Sequence, residues 1–147
     1  MKTRVFFLLL AATIFVACSN DDDNSNPVVA DPAYVGTYEG TTSQSKEVSF
    51  VVSNVNGKAY VTQYSITYTY LFGSSTATAT KSQTNTQGIV QVNGNSFAIS
   101  LSSDANDKIT CAFTSATNLT GTFSIDTGLT SGGAKVYGTG TFSITKK

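Results

Sequence analysis

The sequence predicts an all-β domain, and three observations carry this prediction. From about residue 34 onward the chain is rich in Thr, Ser, Val, Ile, Tyr and Phe and contains no Pro; β-branched and aromatic side chains suit a pleated, half-buried surface. Apolar and polar residues alternate with a period of two, and no window keeps the i, i+3, i+4, i+7 spacing of an amphipathic helix. Turn residues recur between the alternating segments. We therefore expect an antiparallel up-and-down β-barrel of roughly 8–10 strands, with a two-sheet β-sandwich as the alternative.

Nine segments are predicted as strands, and turn residues set their limits. They are residues 34–42, 46–55, 58–72, 76–84, 88–92, 96–101, 108–114, 119–125 and 135–145. Asn56-Gly57 and Asn93-Gly94 are the strongest turn signals, because a type I′ hairpin turn requires positive φ at both central residues. The third segment is either one long strand or two strands that break near Tyr64.

The alternation also predicts which side chains face the interior. In the second segment Val48, Phe50 and Val52 share one face, and in the sixth Phe97, Ile99 and Leu101 do so. In the seventh segment the shared face holds Ile109, Cys111 and Phe113. Cys111 is therefore predicted to be a small buried core residue, which is the common fate of a free cysteine.

The last two segments share a pentapeptide, Gly-Thr-Phe-Ser-Ile, at residues 121–125 and 140–144. In both copies Gly, Phe and Ile alternate toward the interior, where glycine permits tight coiling or close approach of the backbone. We interpret the copies as two neighbouring strands with similar roles. Because almost every connection is predicted to be a short hairpin, and because closure removes exposed sheet edges, a barrel is favoured over a sandwich.

The beginning of the domain resembles a known class of barrel. Gly36-Thr37-Tyr38, the strand rhythm and a length of about 115 residues resemble the lipocalin-like and avidin-like barrels. Lipocalins usually begin with Gly-x-Trp, and this chain has no Trp. The resemblance implies a barrel in which the final strand returns beside the first.

Residues 1–17 resemble a bacterial lipoprotein signal peptide. Lys2 and Arg4 are followed by an almost wholly apolar stretch over residues 5–16, and Ala17-Cys18 resembles the lipobox. About twelve apolar residues are too few to span a bilayer, which needs ~20 in a helix, but they suit the ~7–15-residue apolar region of a secretory signal. The resemblance implies cleavage before Cys18, a thioether-linked diacylglycerol on its sulfur and an acyl chain such as palmitate on its amine. The alternative is an ordinary secretory signal cut near Ala17.

Residues 18–33 are predicted to form an acidic, disordered tether between the anchor and the domain at residues 34–147. Their side chains are too polar to bury the surface that folding requires, and fifteen extended residues reach at most ~50 Å. Asp21, Asp22 and Asp23 resemble the export motif of surface-exposed lipoproteins in Bacteroidota-type bacteria, although charge runs are usually solvated linkers. The resemblance implies a lipid anchor in the outer membrane with the domain facing the cell exterior; the periplasmic face is the alternative.

The composition argues against most catalytic chemistry. The chain has no histidine, hence no Ser–His or Cys–His pair and no usual general base near neutral pH. Glu39 and Glu47 lie on neighbouring predicted strands, but both alternate with the apolar face and are expected to point outward. Asp104 and Asp107 fall in a turn that has fewer carboxylates than a calcium loop and that suits a polar β-turn. We predict a non-enzyme without cofactor or metal.

The charge balance limits the partners. Seven lysines and five acidic residues leave the domain almost neutral, whereas nucleic-acid binding depends on a surplus of cationic groups. We therefore expect a monomer that contacts the membrane through Cys18 and does not bind nucleic acid.

Aromatic side chains recur at even positions of residues 58–72. They are Tyr60, Tyr64, Tyr68, Tyr70 and Phe72. In a regular strand they share one face and suit a ligand-binding groove, since rings stack on a ligand and hydroxyls form hydrogen bonds with it. Core packing is the alternative. Fifteen residues of strand span ~50 Å, so a bend or bulge near residues 63–65 would turn half of the set away. The predicted function is binding of a small ligand, a glycan or an apolar molecule; the alternative is a structural, adhesive or protein-interaction module with a filled barrel.

Overall fold

Antiparallel β-strands make up almost all of the computed structural model, which describes residues 32–147. A short 3₁₀ helix, Pro32–Tyr34, comes first. The strands are β1 (Gly36–Thr41), β2 (Glu47–Val55), β3 (Lys58–Phe72), β4 (Ser75–Thr84), β5 (Val90–Gln91), β6 (Ser96–Ser100), β7 (Lys108–Phe113), β8 (Asn118–Ser131) and β9 (Ala134–Lys146). The predicted signal peptide, Cys18 and the run Asp21, Asp22 and Asp23 lie outside the described residues.

All strands of residues 32–147 belong to one sheet with the order β4-β3-β2-β1-β9-β8-β7-β6, and β5 pairs with β3. Strands β1 to β4 form one up-and-down meander, and strands β6 to β9 form a second. The pairing of β1 with β9, in which Glu39 lies opposite Thr145, joins the two meanders. The predicted all-β, antiparallel, up-and-down fold is confirmed, with nine strands. The sheet is not closed, because β4 and β6 end the order of strands, and this arrangement is consistent with a barrel or a sandwich.

Strands β4 and β5 lie along the same edge of β3. Thr84 pairs with Gln63, and Val90 pairs with Val61, so the chain makes a detour over residues 85–89 between them. Gly88 in this detour has a φ of +102° and lies directly against the ring of Tyr60, where a Cβ atom would overlap the ring. Glycine is required there both for the backbone conformation and for the close approach.

A β-bulge divides β3. Val51 pairs with Gln63 while Val52 pairs with Val61, so Thr62 is the extra residue. A shift of one residue turns every later side chain to the opposite face of the strand. Val61 is therefore buried before the bulge and Tyr64 after it, whereas Tyr60 lies on the other face. The predicted break near Tyr64 is a bulge within one continuous strand.

The repeated pentapeptides pair with each other across β8 and β9. Gly121 lies opposite Phe142, and Phe123 lies opposite Gly140. A Cβ atom on Gly140 would stand 2.6 Å from Cζ of Phe123, and one on Gly121 would overlap the ring of Phe142. Each glycine thus provides the space for the phenylalanine of the other copy. The prediction of neighbouring strands with an inward Gly-Phe-Ile pattern is confirmed.

Side chains fill the interior of the sheet. Phe50 lies at its centre, with ring centroids 6.2 Å from Tyr64, 5.8 Å from Phe97 and 5.4 Å from Phe142. Cys111 is buried in the same core, as its alternation with Ile109 and Phe113 predicts. Buried aromatic rings thus occupy the centre of the core, as in a close-packed protein interior.

The direction of the strands defines two ends of the molecule. The N-terminal end holds the 3₁₀ helix, where Tyr34 stacks on Phe113 with centroids 4.2 Å apart and Lys146 Nζ donates to the carbonyl of Ala33 over 3.0 Å. The distal end holds the turn between β1 and β2, the tips of the β3–β4 and β8–β9 hairpins, and the loop between β6 and β7. The predicted tether therefore enters the domain at the end opposite to these tips.

Candidate functional site

The five aromatic residues predicted from β3 do not form one surface. Tyr60 lies on the outer face and its hydroxyl donates to Oε1 of Gln91 over 3.2 Å. Tyr64 and Tyr68 are 1% and 4% exposed and belong to the core. Tyr70 is half-buried, and Phe72, at the hairpin tip, is 44% exposed. The bulge at Thr62 places Tyr60 on the face opposite to the other four, as the alternative of a bend or bulge in this segment allows. Tyr64 and Tyr68 pack in the core, and only Tyr70 and Phe72 of the set reach the distal surface.

Strands β3 and β9 come together at the distal end, although β2 and β1 lie between them in the sheet. The side chain of Gln44, in the turn between β1 and β2, connects the two. Its Nε2 donates to the carbonyls of Thr69 (2.8 Å) and Thr139 (3.1 Å), and the Thr69 N–H donates to its Oε1 (2.7 Å). Deeper in the same contact, the ring of Tyr68 occupies the space that a side chain at Gly138 would need.

A surface groove lies over this junction. Its volume of about 390 Å³ is within the usual range of ligand sites. We call it the distal groove. It is lined by Gln44, Thr69, Tyr70, Leu71, Thr76, Tyr137 and Thr139. Tyr70 connects it to the core, since its ring lies 6.2 Å from that of Tyr68, which lies 6.1 Å from Phe123. Two phenol rings, one carboxamide and an exposed leucine thus face one open concavity.

An ion network fixes one wall of the distal groove. Lys135 Nζ lies 2.8 Å from Oδ2 of Asp104 and 2.8 Å from Oδ2 of Asp126, and the Tyr137 hydroxyl donates to Asp104 Oδ2 over 2.6 Å. Hydrogen bonds from Lys135 and Tyr137 hold the pKa of Asp104 well below its usual range, and the two carboxylates raise the pKa of Lys135. At neutral pH the network carries two negative charges and one positive charge, and Asp104 orients the phenol of Tyr137.

A second groove, of about 530 Å³, lies on the outer face of β1, β2 and β3. Glu39 and Glu47 both line it, which agrees with the prediction that these carboxylates point outward, and Lys147 forms an ion pair with Glu39. Within residues 32–147, no group of three or more His, Cys, Asp or Glu side chains lies close enough together to hold a metal ion. The absence of enzymatic activity stays a prediction.

Comparison of the chain with protein-family models, with curated proteins and with solved structures found no match in any of the three. In the described range, no helix has the length and apolar character needed to cross a membrane. The distal groove is thus argued from its own geometry.

Sequence reasoning found Tyr70 but missed Gln44 and Tyr137. Gln44 lies in a predicted turn, and Tyr137 is an ordinary outward residue of a predicted strand. They lie close to Tyr70 only because β9 meets β3 across two other strands. No local pattern in the sequence indicates that contact.

Proposed function

We propose that the protein is a lipid-anchored surface protein of the outer membrane whose domain binds a small ligand, with a glycan as the preferred class, in the distal groove. The observation that supports this proposal is the position of Tyr70 and Tyr137 in an open groove at the end opposite to the N-terminus. Because the interior is filled, the ligand site is proposed on the surface and not inside the sheet.

The residues of the groove suit a glycan chemically. Phenol rings pack against the C–H faces of sugars while their hydroxyls and nearby polar groups bind sugar hydroxyls. The carboxylate of Asp104, which does not line the groove, accepts the hydrogen bond of the Tyr137 hydroxyl and so holds that phenol in place. Leu71, which is 64% exposed, extends the groove with apolar surface and suits an apolar substituent.

The proposed location rests on the sequence of the first 23 residues and on the direction of the domain. Lipidation at Cys18 places the N-terminal end toward the membrane, and the tether of residues 18–33 separates the two. The distal groove then faces away from the lipid surface, where a ligand outside the cell can reach it. Export to the exterior depends in this proposal on Asp21, Asp22 and Asp23.

The binding proposal is tested with the full-length lipoprotein in detergent on a glycan and lipid array. We expect Tyr70→Ala and Tyr137→Ala to reduce binding at least tenfold while the domain stays folded at the temperature of the assay. Tyr60→Ala is the matched control, since this tyrosine lies on β3 but away from the groove. Unchanged binding in both groove variants would rule out the distal groove as the site.

The stability of the tyrosine variants gives a test that needs no ligand. Tyr64→Ala and Tyr68→Ala should each lower the free energy of unfolding by ~3–5 kcal/mol, as expected for truncation of a buried aromatic residue. Tyr70→Ala should cost much less, because its ring is half-buried at the rim. Thermal melts of the three variants measure the difference; equal losses in all three would mean that Tyr70 is a core residue.

The anchor is tested separately from the groove. Cys18→Ala should abolish incorporation of radiolabelled palmitate, and replacement of Asp21, Asp22 and Asp23 by Ala should keep the label but reduce protease shaving of intact cells. Palmitate incorporation equal to wild type in Cys18→Ala would end the lipoprotein proposal. Unchanged shaving of the triple variant would mean that the acidic run is only a spacer.

The filled interior favours a second candidate, a structural, adhesive or protein-interaction module without a small-molecule site. Such a module would use its Thr- and Ser-rich outer strands as the contact surface. A blank glycan and lipid array together with retained binding to cells or protein would favour this candidate.

A further inference from the structure

Strand β4 has one unpaired edge and a solvent-exposed outer face, while Ala77, Ala79 and Lys81 on its inner face are partly buried. It pairs with β3 along ten residue pairs, Gln63 with Thr84 through Phe72 with Ser75, and it ends the strand order on that side. None of its ten residues is buried. A strand of this kind presents a row of free backbone N–H and C=O groups to any chain that can lie beside it.

Features that usually protect such an edge are almost absent from β4. The strand contains no proline, no glycine and no bulge, and Lys81 is its only charged residue. The detour of the chain begins only after Thr84. The other end of the sheet is different, because β6 is a strand of only five residues. The long edge of β4 is therefore the accessible one.

The sequence of β4 is complementary to itself when two copies run antiparallel about Thr80. Thr80 then faces the Thr80 of the second copy, and residues whose numbers sum to 160 pair across the interface. The remaining pairs are Thr76 with Thr84, Thr78 with Ser82, Ala77 with Gln83, and Ala79 with Lys81. Hydroxyl residues meet on the outer face, and a small residue lies opposite each long one on the inner face.

We propose that β4 pairs antiparallel with β4 of a second copy of this chain, in the register centred on Thr80, in place of the monomer expected from the sequence. The two sheets then become one continuous sheet across the dimer. The outer face already contains this kind of contact, since Oγ1 of Thr67 lies 3.0 Å from Oγ1 of Thr80 in the pairing of β3 with β4. Cross-strand Thr–Thr and Thr–Ser pairs are favourable neighbours in antiparallel sheets.

A second copy fits this edge better than an unrelated peptide does. Peptides that add a strand to a sheet gain specificity from pockets for alternate side chains, and the faces of β4 offer only Ala, Thr and Ser beside Gln83 and Lys81. One lysine also provides little charge to attract an acidic peptide. Self-pairing needs neither pockets nor charge, because the complementarity lies in the strand itself.

Two anchors in one membrane fit the proposed dimer when its strands lie along the membrane surface, so that each distal groove opens sideways. The orientation in which the distal groove faces away from the lipid is that of a single protomer. Antiparallel pairing places the two N-terminal ends at opposite ends of the dimer, separated by about the length of the domain. A strand of fifteen residues such as β3 spans ~50 Å, and the predicted tether reaches a similar distance. Dimerisation does not depend on ligand binding in the distal groove, so either proposal can fail without the other.

Cysteine cross-linking of the full-length chain in cells tests the register. Thr80→Cys should form a disulfide-linked dimer on a non-reducing gel, because the two Thr80 positions face each other within the ~4.4–6.8 Å that a disulfide allows between Cα atoms. Thr78→Cys should not, since its two copies lie about four residues, ~14 Å, apart along the strands. Coexpression of Thr78→Cys with Ser82→Cys should restore the cross-link.

Thr67→Cys is the matched control, because it shares the face of Thr80 but lies one strand away from the edge, and the wild-type chain controls for Cys18 and Cys111. A second measurement uses Thr80→Lys, which places two ammonium groups opposite each other. The wild type and Thr67→Lys should have the mass of a dimer by light scattering in detergent, and Thr80→Lys that of a monomer. A monomeric wild type, or cross-linking of Thr78→Cys equal to that of Thr80→Cys, would overturn the proposal.

Discussion

At the scale of single residues, the burial of Cys111 could be predicted from the alternation of apolar and polar residues alone. Its side chain is 1% exposed, on the face that the sequence predicts, and burial raises the pKa of its thiol. Because a thiolate is the reactive form, we expect Cys111 to resist a thiol reagent in the native protein and to react after denaturation. Cys111→Ala should lower the free energy of unfolding by ~1 kcal/mol.

Labelling followed by mass spectrometry measures this protection. Thr110→Cys in the Cys111→Ala background is the matched control, since residue 110 is the exposed neighbour on the same strand and its thiol should react at once. Equally fast native labelling of Cys111 would contradict its place in the core.

Also at this scale, the network around Lys135 predicts a pH dependence of stability. The folded-state pKa values of Asp104 and Asp126 lie below their ordinary values, so the stabilisation that they provide is present above the unfolded pKa of about 3.9 and is lost as the pH falls below it. The raised pKa of Lys135 acts in the opposite direction: its contribution is present below the unfolded pKa of about 10.4 and is lost as the pH rises through the folded pKa.

Thermal melts between about pH 2 and pH 7 test the acidic side of this prediction. The melting temperature of the wild type should fall below about pH 4, and Asp104→Asn should lower it at neutral pH and flatten the fall. Glu47→Gln should retain the full fall, because Glu47 takes part in none of the ion pairs of the described residues. If the melting temperature of Asp104→Asn decreased at acid pH as much as that of the wild type, the network would not stabilise the fold.

At the scale of the strands, alternation and turn residues predict where a strand begins and ends better than they predict the face on which its side chains lie. The predicted limits of residues 58–72 coincide with β3, whereas β8 continues to Ser131, six residues past its predicted end. Turn signals such as Asn56-Gly57 act locally, so the sequence displays them. The length of residues 58–72 predicts a bend or bulge near residues 63–65, but its position at Thr62 depends on the register with β2.

The paired pentapeptides give a prediction at the same scale. Gly140→Ala should lower the free energy of unfolding by ~1–3 kcal/mol, because the new methyl group would enter the space held by the ring of Phe123. Phe123→Leu removes the atoms nearest to that methyl group, so the double variant should lose less than the sum of the two single losses. Chemical denaturation measures all three.

The exposed neighbour Thr139 supplies the control for this cycle, since Thr139→Ala should change stability by no more than ~0.5 kcal/mol. Additive losses in the double variant would mean that Gly140 is not required by the ring of Phe123.

At the scale of the whole molecule, the sequence predicts an antiparallel sheet of the right size but not how it curls. The contact of β3 with β9 brings Tyr70 and Tyr137 to the same groove from positions 67 residues apart. Such contacts depend on the twist of the complete sheet and on the Gln44 side chain that connects the two strands. The part of the distal groove that contains Tyr70 was therefore predictable from the aromatic segment of β3. The part that contains Tyr137 and Gln44 could be found only from the folded structure.

The same fold predicts the orientation of the anchored protein. A short epitope inserted after Gly132 lies at the distal end, and one inserted after Gly57 lies at the N-terminal end; a side chain at either glycine would meet no atom within 4 Å. With the complete tether, antibody should bind both epitopes on intact cells. Deletion of residues 24–31 shortens the tether by up to ~28 Å, so the epitope after Gly57 should become inaccessible while that after Gly132 stays accessible. Flow cytometry of the four strains measures this, with total epitope in lysed cells as the control. Equal loss of both signals would show that the distal groove does not face away from the membrane, and it is the result expected of the antiparallel β4 dimer, in which the two ends of the domain are equivalent relative to the membrane.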